Sequence, residues 1–321
     1  MKQGEPRELG AALVLPVLNG AAHAPALAGA LSRQSRPLLR MVVLDSASTD
    51  GSADLWRSLG AKVTVLPPGH FDHGGTRNLG AQLAGDADIL IFMTQDALPL
   101  GCDWLERLLA PILAGEAAAT FARQLPRPDA SPLERFSRYF NYPDHSALRR
   151  EADIGRLGVK AFFFSNVCSA VRADAFWAVG GFPEGVIMNE DMALAARLLR
   201  AGHAVGYVAG AEVVHSHAYT PAQQFRRNFD VGAFFADTGP ELAGAKVGGE
   251  GLRFVLGQLR YILRHGRADL VPLLLLESTA KFSAFQLGRH YRWLPLALRK
   301  GWSMHSYHWE RSREQQPKEQ T

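Results

Sequence analysis

Cysteine is scarce in this 321-residue chain, which contains only Cys102 and Cys168. Two cysteines cannot form a framework of several disulfides, and no Cys/His pattern has the spacing of a zinc site, so a reducing compartment is expected. Long apolar runs are absent too, because no stretch reaches the roughly 20 residues that span a bilayer. Residues 1–10 are polar and do not resemble a signal peptide. These absences predict a cytoplasmic protein.

Glycine-rich phosphate loops are also missing. No G-x-G-x-x-G or G-x-x-x-x-G-K-[ST] sequence follows the first predicted strand, so the chain lacks the fingerprints of dinucleotide-binding dehydrogenases and P-loop enzymes. Its 47% hydrophobic and 21% charged residues are typical of a globular protein. A chain of this length can bury one large core, or one core with an appendage.

Charge is unevenly distributed along the chain. Residues 1–250 contain 23 Lys and Arg against 26 Asp and Glu, whereas residues 251–321 contain 12 against 5. A basic C-terminal segment can bind nucleic acid or an anionic membrane surface, or can simply present a solvated helix face.

Strand-like and helical segments alternate in the first third of the chain. This alternation predicts βαβ units and a parallel sheet. The predicted strands are 11–17, 41–44, 62–66 and 89–93, and the predicted helices are 26–31, 54–59 and 76–83.

Two of these strands end at an aspartate. The apolar run 89–93 is typical of a strand buried on both faces, and Asp96 follows it closely. Ligands of open α/β sheets lie at the carboxyl ends of the strands, so Asp96 is a candidate for holding a metal or a phosphate-bearing substrate. It could equally cap the next turn or helix. Asp45 ends the second strand, where an acceptor-only side chain can bind the N–H of a base or a ribose hydroxyl. The segment 45–51 also has the composition of a turn.

A third polar segment, 71–78, reads Phe-Asp-His-Gly-Gly-Thr-Arg-Asn and opens a predicted helix. Gly74 and Gly75 would let backbone N–H groups approach an anion. Arg77 lies in the first helical turn, where a cation is unfavourable against the helix dipole unless an anion is bound there.

In this order, the motifs Pro16-Val17-Leu18-Asn19, 45–51, 71–78 and Thr94-Gln95-Asp96-Ala97 resemble the nucleotide-sugar domain of family 2 inverting glycosyltransferases with the GT-A fold. The string 71–78 and the Gln-Asp-Ala motif are most similar to the bacterial rhamnosyltransferase branch. The resemblance covers about residues 11–235 and implies a GT-A-like α/β fold with a mainly parallel central sheet. It also implies donor binding by Pro16, Val17, Asn19, Asp45, Ser46, Ser48, Gly74, Arg77, Gln95 and Asp96.

In the second half, the run 161–170 is strand-like. This half should also supply a catalytic carboxylate. Asn189-Glu190-Asp191-Met192 begins a predicted helix, where acids are also favoured by the helix dipole. An inverting transfer needs one carboxylate that takes the proton of the attacking acceptor hydroxyl. The resemblance implies that Asp191 is this base and that Glu190 orients the acceptor or binds one of its hydroxyls.

His215 and His217 are predicted to share one face of a strand, 213–217. A lone buried histidine is usually structural, but a His-x-His pair is a better ligand candidate. The resemblance implies that His215, with His217 as its partner, joins Asp96 at a Mg²⁺ or Mn²⁺ site that bridges the donor diphosphate. The commonest motif of the family has two acids there, whereas this chain has Thr94 and Asp96.

The segment 117–154 contains arginines among aromatic residues and prolines. Because the prolines break it into loops and no recognised nucleic-acid module is present, we expect a flexible lid on the acceptor side rather than a nucleic-acid site.

From residue 251 the pattern changes to basic amphipathic helices, predicted at 252–263, 270–285 and 291–302. Such helices suit peripheral contact with anionic lipid, but they could equally pack on the catalytic domain or on a second subunit. The expected organisation is a catalytic domain at 1–240, with its donor half at about 11–116 and its acceptor half at about 117–240. A helical region at 241–309 and a disordered tail at 310–321 follow.

We therefore expect an inverting glycosyltransferase that moves L-rhamnose from dTDP-L-rhamnose to a bacterial surface polysaccharide or a lipid-linked glycan. It would be cytoplasmic, with a peripheral position on the inner face of the cytoplasmic membrane, and a homo-oligomer is left open. One alternative is a transferase of the same fold that uses a UDP-sugar. Another is a sugar nucleotidyltransferase, although its usual Gly-rich, Lys-containing loop is absent from 16–20. The third is a non-catalytic sugar-nucleotide-binding protein.

Overall fold

The computed structural model describes residues 9–239, 241–242 and 250–314. Within them, nine strands form one sheet in the order β3-β2-β1-β4-β8-β6-β9-β5, with β7 paired to β9. The strands are β1 (Ala11–Val17), β2 (Arg40–Asp45), β3 (Lys62–Val65), β4 (Ile89–Met93), β5 (Leu98–Pro99), β6 (Ala119–Leu125), β7 (Ala147–Arg149), β8 (Cys168–Arg172) and β9 (Val205–Val214).

The α-helices of the described residues fill the connections and form the C-terminal region. They are α1 (Ala24–Ser32), α2 (Ser52–Ser58), α3 (His73–Leu83), α4 (Trp104–Leu113), α5 (Pro132–Asn141), α6 (Ile154–Leu157), α7 (Ala173–Ala178), α8 (Glu190–Arg200), α9 (Pro221–Asp237), α10 (Glu250–Arg264), α11 (Val271–Arg289), α12 (Leu296–Trp302) and α13 (Ser306–Glu314). Short 3-10 turns lie at Glu151–Asp153, Gly158–Phe162, Ala268–Leu270 and Tyr291–Trp293.

The predicted βαβ half of the sheet is confirmed. Strands β3, β2, β1 and β4 are parallel neighbours, and Val17 of β1 lies opposite Asp45 of β2. The second half is mixed: β8 is antiparallel to both β4 and β6, whereas β6 and β9 are parallel to each other. Most strands therefore run in the direction of β1, and the carboxyl ends of β1, β2 and β4 meet at one edge of the sheet.

Apolar side chains alternate between two cores, one on each face of the sheet. Leu13 and Leu15 of β1 belong to the core that contains Trp56 and Trp104, whereas Val14 belongs to the core on the opposite face. This alternation follows from the period of two in a strand. All five residues of β4 are buried, as its apolar run predicts for a strand covered on both faces.

Local capping explains where two helices of the acceptor half begin. Thr220 accepts from the backbone N–H of Gln223, whose side chain accepts from the backbone N–H of Thr220, so α9 starts with a reciprocal capping box. Ser131 caps α5, and Pro132 occupies the first turn, where its missing N–H leaves no helical bond unmade.

The segment 117–154 was predicted to consist of loops, but it contains β6, α5 and β7.

Two predicted strands are wrong in their bounds. The strand-like run 161–170 begins as a 3-10 turn, and β8 starts only at Cys168. The reason is that polar Ser165 and Asn166 bond to other parts of the chain instead of a strand partner. The predicted strand 213–217 is the end of β9, which stops at Val214, so His215 and His217 follow the strand.

Helices α11 and α12 pack onto α9, whereas α10 packs onto α5. Gly232 of α9 and Gly288 of α11 allow this approach, because a Cβ on Gly288 would collide with the carbonyl oxygen of Phe229. The tail predicted to be disordered is helical at residues 310–314, because α13 is anchored by Trp309 against Phe229 and Tyr291. Residues 315–321 lie outside the described part of the chain. Among the described residues, no helix is both long and apolar enough to cross a membrane.

Candidate active site

Asp45 lies buried at the carboxyl end of β2. Its Oδ1 accepts from the backbone N–H of Ser48 at 2.9 Å, and its Oδ2 has no hydrogen-bond partner among the residues that the structure describes. A buried carboxylate oxygen without a donor is costly, and a ligand N–H or hydroxyl would satisfy it. The position of Asp45 is therefore suited to the predicted contact with a base or ribose.

The loops after β1 and β2 are bonded to each other. The backbone N–H of Asn19 donates to Oγ of Ser48 at 2.9 Å, and the side-chain Oδ1 of Asn19 accepts from the backbone N–H of Thr49 at 3.0 Å. Ser46 donates its backbone N–H to the carbonyl of Val17. Pro16 lies in β1 directly opposite Leu44 of β2. The predicted donor residues of these two loops thus form one preorganised edge.

Gln95 connects this edge to the end of β4. Its Oε1 accepts from the backbone N–H of Leu18 at 2.9 Å, and its Nε2 donates to the carbonyl of Leu18 at 3.0 Å. Both polar groups of the amide are therefore used in holding the loop after β1. The structure places Gln95 as a loop-positioning residue, and its direct contact with the donor stays a prediction.

At the start of α3, Gly74 packs against another part of the chain, and its contact with a donor anion stays a prediction. Gly74 lies against the loop that contains Pro183, whose carbonyl oxygen would collide with a Cβ on Gly74. Asp72 caps the helix by accepting from the backbone N–H of Gly75 at 2.6 Å. A glycine is thus needed at position 74, because the backbone of α3 approaches the backbone at Pro183 closely there.

Arg77 already has an anionic partner within the protein. Its Nη1 lies 3.0 Å from Oε1 of Glu190, and the same Nη1 donates to the carbonyl of His73 at 2.9 Å. The anion that compensates this cation near the helix N-terminus is the Glu190 carboxylate. Binding of donor phosphate by Arg77 remains a prediction.

Asn166 holds both carboxylates at the start of α8. Its backbone N–H donates to Oδ2 of Asp191 at 3.1 Å, and its Nδ2 donates to Oε1 of Glu190 at 3.0 Å. Sequence reasoning missed Asn166 because it lies in a run interpreted as a strand. The signal was present, however, since Ser165-Asn166 interrupts a run of apolar residues.

The two carboxylates differ in proton affinity. Burial, reinforced by the charge of Glu190, raises the pKa of Asp191 to about 7. Burial also raises the pKa of Glu190, but the Arg77 guanidinium and the Asn166 amide outweigh it and hold this pKa below its usual value. Glu190 is therefore an ionised anchor, whereas Asp191 can accept a proton near neutral pH.

Asp96, His215 and His217 converge as predicted. One ligand atom from each lies within 4.8 Å of the others. Nε2 of His215 is 3.5 Å and Nε2 of His217 is 3.6 Å from Oδ2 of Asp96. Burial lowers the pKa of His215 to about 3 and also lowers the pKa of His217, so both rings are neutral at physiological pH. A carboxylate with two neutral imidazoles is a donor set for a divalent cation.

Gln124 orients this cluster and was not predicted. Its Oε1 lies 2.9 Å from Nδ1 of His215 and accepts from Arg138 at 2.7 Å, while its Nε2 donates to Oγ of Ser165 at 2.9 Å. Because an amide oxygen only accepts, the proton of His215 resides on Nδ1, and Nε2 presents its lone pair towards Asp96.

Arg227 of α9 is a second residue that sequence reasoning missed. It is exposed, and its positive charge acts on both His73 and His217. An exposed guanidinium whose charge lowers the pKa of both buried rings is suited to pairing with a phosphate.

Three features lie along one edge of the sheet. They are the buried Asp45 carboxylate, the cluster of Asp96, His215 and His217, and the Asp191 carboxylate with its raised pKa. This combination is that of an enzyme site at the carboxyl ends of the strands of an α/β sheet. Residues 12–180 match the sequence profile of Glycosyl transferase family 2, and the chain belongs to this family. It is therefore a glycosyltransferase.

Known relatives support the same class. The chain is 38% identical over 302 residues to the O-antigen chain rhamnosyltransferase WbaN of Salmonella anatum, covering 92% of this chain and 95% of that protein. The fold is similar to the mannosyltransferase PcManGT from Pyrobaculum calidifontis in complex with GDP-Man and Mn²⁺, with a TM-score of 0.55 at 16% identity, covering 97% and 92% of the two chains. TarS 1-349 of S. aureus gives a TM-score of 0.54 at 14% identity, covering 97% and 93%. The predicted GT-A-like fold and the rhamnosyltransferase-like resemblance are thereby confirmed.

Proposed function

We propose that this enzyme transfers L-rhamnose from dTDP-L-rhamnose, with inversion, to a growing bacterial surface polysaccharide such as an O-antigen chain, or to its lipid-linked form. The similarity to an O-antigen chain rhamnosyltransferase along nearly the whole chain supports the sugar and the acceptor class. The observation that carries the mechanism is the Asp191 carboxylate, which Asn166 holds beside an ionised Glu190.

Asp191 is the general base of this proposal. It removes the proton of the acceptor hydroxyl while that oxygen attacks the anomeric carbon from the face opposite the leaving nucleoside diphosphate. The raised pKa of Asp191, about 7, lets it take this proton near neutral pH. Glu190 acts indirectly, because its Oε1 is bonded to both Arg77 and Asn166. Glu190 thereby fixes the start of α8, and its negative charge adds to the effect of burial in raising the pKa of Asp191.

Asp96, His215 and His217 would hold Mg²⁺ or Mn²⁺. Such a cation, when bound, neutralises charge that develops on the leaving diphosphate. The protein supplies a tautomer of His215 fixed by Gln124, and Arg227 adds positive charge from α9. Asp45 offers its free Oδ2 to the nucleoside.

The place of action that we propose is the cytoplasm, at the inner face of the cytoplasmic membrane, where a lipid-linked acceptor is available. The proposed domain division is a catalytic domain at 1–240 and a helical region at 241–309, with residues 310–321 as a C-terminal extension.

Calorimetric titration with dTDP, UDP, GDP and ADP tests the donor, each measured with Mg²⁺ and with chelator. Tight dTDP binding that is lost on chelation supports both the donor and the cation cluster. A preference for UDP would indicate a donor with another sugar. Binding of equal strength with Mg²⁺ and with chelator would exclude a role of the metal in nucleotide binding. Absence of binding to all four would contradict the donor site.

A transfer assay with dTDP-L-rhamnose and a polysaccharide acceptor tests the reaction itself. Release of dTDP together with a glycosylated acceptor is expected. In a parallel assay with dTTP and a sugar 1-phosphate, formation of a dTDP-sugar and pyrophosphate would instead indicate a nucleotidyltransferase. Donor binding without turnover on any acceptor would favour a non-catalytic protein.

A further inference from the structure

The solvent-facing side of α11 lacks charge along most of its length. Every exposed residue of this helix before Arg289 is uncharged, and Leu275, Leu276 and Phe282 are 59%, 57% and 66% exposed. At 100° per residue these three fall within an arc of about 120°, which the uncharged polar residues Thr279, Ser283 and Gln286 share. The charged side chains Glu277 and Lys281 lie elsewhere and pair with each other at 3.3 Å. An exposed, uncharged helix side that carries three large apolar residues is suited to an interaction surface.

The opposite side of α11 is already occupied. Gly288 and Ala284 are buried, and Gly288 lies against the backbone of α9 at Phe229. The catalytic domain therefore covers the inner side of the helix and leaves Leu275, Leu276 and Phe282 facing solvent.

Helix α10 carries a second apolar stripe with basic neighbours. Leu252, Leu256 and Leu263 are exposed and fall within an arc of about 40° at 100° per residue. Arg260 and Arg264 are exposed on the adjoining arc. Basic residues beside an apolar stripe are typical of a helix that lies in the plane of a lipid interface.

The end of α11 has the same character. Trp293 follows the helix and is 88% exposed, and the exposed cations Arg289 and Arg292 lie close to it in the chain. Tryptophan prefers the level of the lipid headgroups, and arginine is attracted by anionic headgroups.

We propose that α10, α11 and Trp293 form a surface that docks on an anionic lipid bilayer, with Leu275, Leu276 and Phe282 entering the headgroup region. A second copy of the chain suits the surface less well. A two-fold interface would place the patch against itself and bring its arginines together, in a region with 12 Lys and Arg against 5 Asp and Glu. This inference specifies the surface behind the proposed location, and it does not depend on the donor, the metal or the catalytic base.

Co-sedimentation of the full-length protein with vesicles tests this docking. We expect binding to phosphatidylcholine vesicles that contain phosphatidylglycerol, weak binding to phosphatidylcholine alone, and loss of binding at high salt. The double variant Leu276→Gln/Phe282→Gln should bind at least about tenfold more weakly, because two apolar side chains no longer enter the lipid. A variant with Arg260→Gln and Arg264→Gln should lose the preference for anionic vesicles.

The matched control is Leu113→Gln, which changes an exposed leucine at the end of α4, far along the chain from this surface. It should bind vesicles like the wild type. Thermal unfolding of each variant verifies that the fold is intact, and nucleotide binding by calorimetry separates this test from the proposed function. The inference would be overturned if the wild-type protein did not co-sediment with anionic vesicles. Light scattering could also show that the wild type is a dimer. If Leu276→Gln/Phe282→Gln dissociates this dimer but binds vesicles like the wild type, the inference is overturned as well.

Discussion

Arg77 and Glu190 form a buried ion pair, with Nη1 3.0 Å from Oε1 and both side chains only 6% exposed. The pair joins the start of α3, in the donor half, to the start of α8, in the acceptor half. Because neither charge can be hydrated by bulk water, each depends on the other. The pair therefore both connects the halves of the site and sets the charge beside Asp191.

Removing one member of this pair should destabilise the protein strongly. Arg77→Met leaves the Glu190 carboxylate buried without its cation, which costs about 3–5 kcal/mol in such cases. Adding Glu190→Gln to Arg77→Met should recover much of the loss. Denaturant unfolding measures both variants, and Arg57→Met, which breaks an exposed pair with Asp54, is the control. Equal small effects of Arg77→Met and Arg57→Met would contradict this prediction.

Replacing the proposed base should abolish transfer without preventing donor binding. For Asp191→Asn we expect a fall in kcat of about 10²–10⁴-fold, because general base catalysis typically contributes this much. Nucleotide affinity should stay close to that of the wild type. Asp174→Asn, at an exposed acid on α7, is the control. A variant Asp191→Asn with wild-type kcat would exclude Asp191 as the base.

The activity should depend on pH through Asp191. Burial raises the pKa of this carboxyl to about 7, and the base must be deprotonated to act, so kcat/KM should rise with pH and level off above about 7. A profile that is flat between pH 5 and pH 8 would contradict the assignment.

The Asp191 carboxyl should also make the stability of the protein depend on pH, and the stability should fall where the activity rises. Its folded-state pKa of about 7 lies above the unfolded value of 3.8, so the folded state binds the extra proton between these values. The stabilisation from this proton is complete below pH 3.8 and is lost as pH rises through about 7. The free energy of unfolding of the wild type, measured relative to Asp191→Asn, should therefore decrease over this window. A difference that does not change with pH would show that the Asp191 pKa is not raised.

Metal binding should require the histidine cluster. His217→Ala and Gln124→Leu should each weaken Mn²⁺ binding, the latter about 10–100-fold, because loss of the amide that orients His215 disturbs a ligand without removing it. Electron paramagnetic resonance of Mn²⁺ measures affinity independently of activity. His145→Ala, at an exposed histidine, should bind like the wild type. Unchanged affinity in His217→Ala would restrict the site to Asp96 and His215.

Docking of the C-terminal helices should be sensitive to one methyl group. In Gly288→Ala the new Cβ collides with the backbone of Phe229, so a loss of about 1–3 kcal/mol is expected. Gly301→Ala is the control, because nothing lies within 4 Å of the new Cβ, and alanine in α12 should be neutral or slightly stabilising. Thermal unfolding compares the two, and equal melting temperatures would contradict the close packing of α11 on α9.

Local pattern was sufficient to predict much of the donor half. The four parallel strands of this half occur where apolar runs predict them, and Asp45 ends β2 as expected. These features depend on the period of side chains along a strand and on the polar residues that end it, which are visible in a short window of sequence. Helices α10 and α11 were predicted for the same reason, because apolar residues recur along them. The predicted helix 291–302 is wrong in its bounds, because it is a 3-10 turn at Tyr291–Trp293 followed by α12, which starts only after Pro295.

Prediction was weaker where a side chain is used by a distant part of the chain. The segment around Ser165 and Asn166 looks like a strand, yet its polar groups bond to Gln124 and to the acids of α8. Gly74 also makes room for the loop at Pro183, a contact that its place in the sequence does not indicate. Spacing along the chain carries no information about such partners.

By itself, the sequence determined the family, the order of the strands and helices in the donor half, and the aspartates at the strand ends, because all of these follow from local periodicity and recognisable motifs. Only the tertiary structure decided that Glu190 neutralises Arg77, that Gln124 orients His215, and that no other described part of the chain covers one face of α11. These are contacts between residues far apart in the chain, and the pKa of Asp191 depends on burial that only such contacts create.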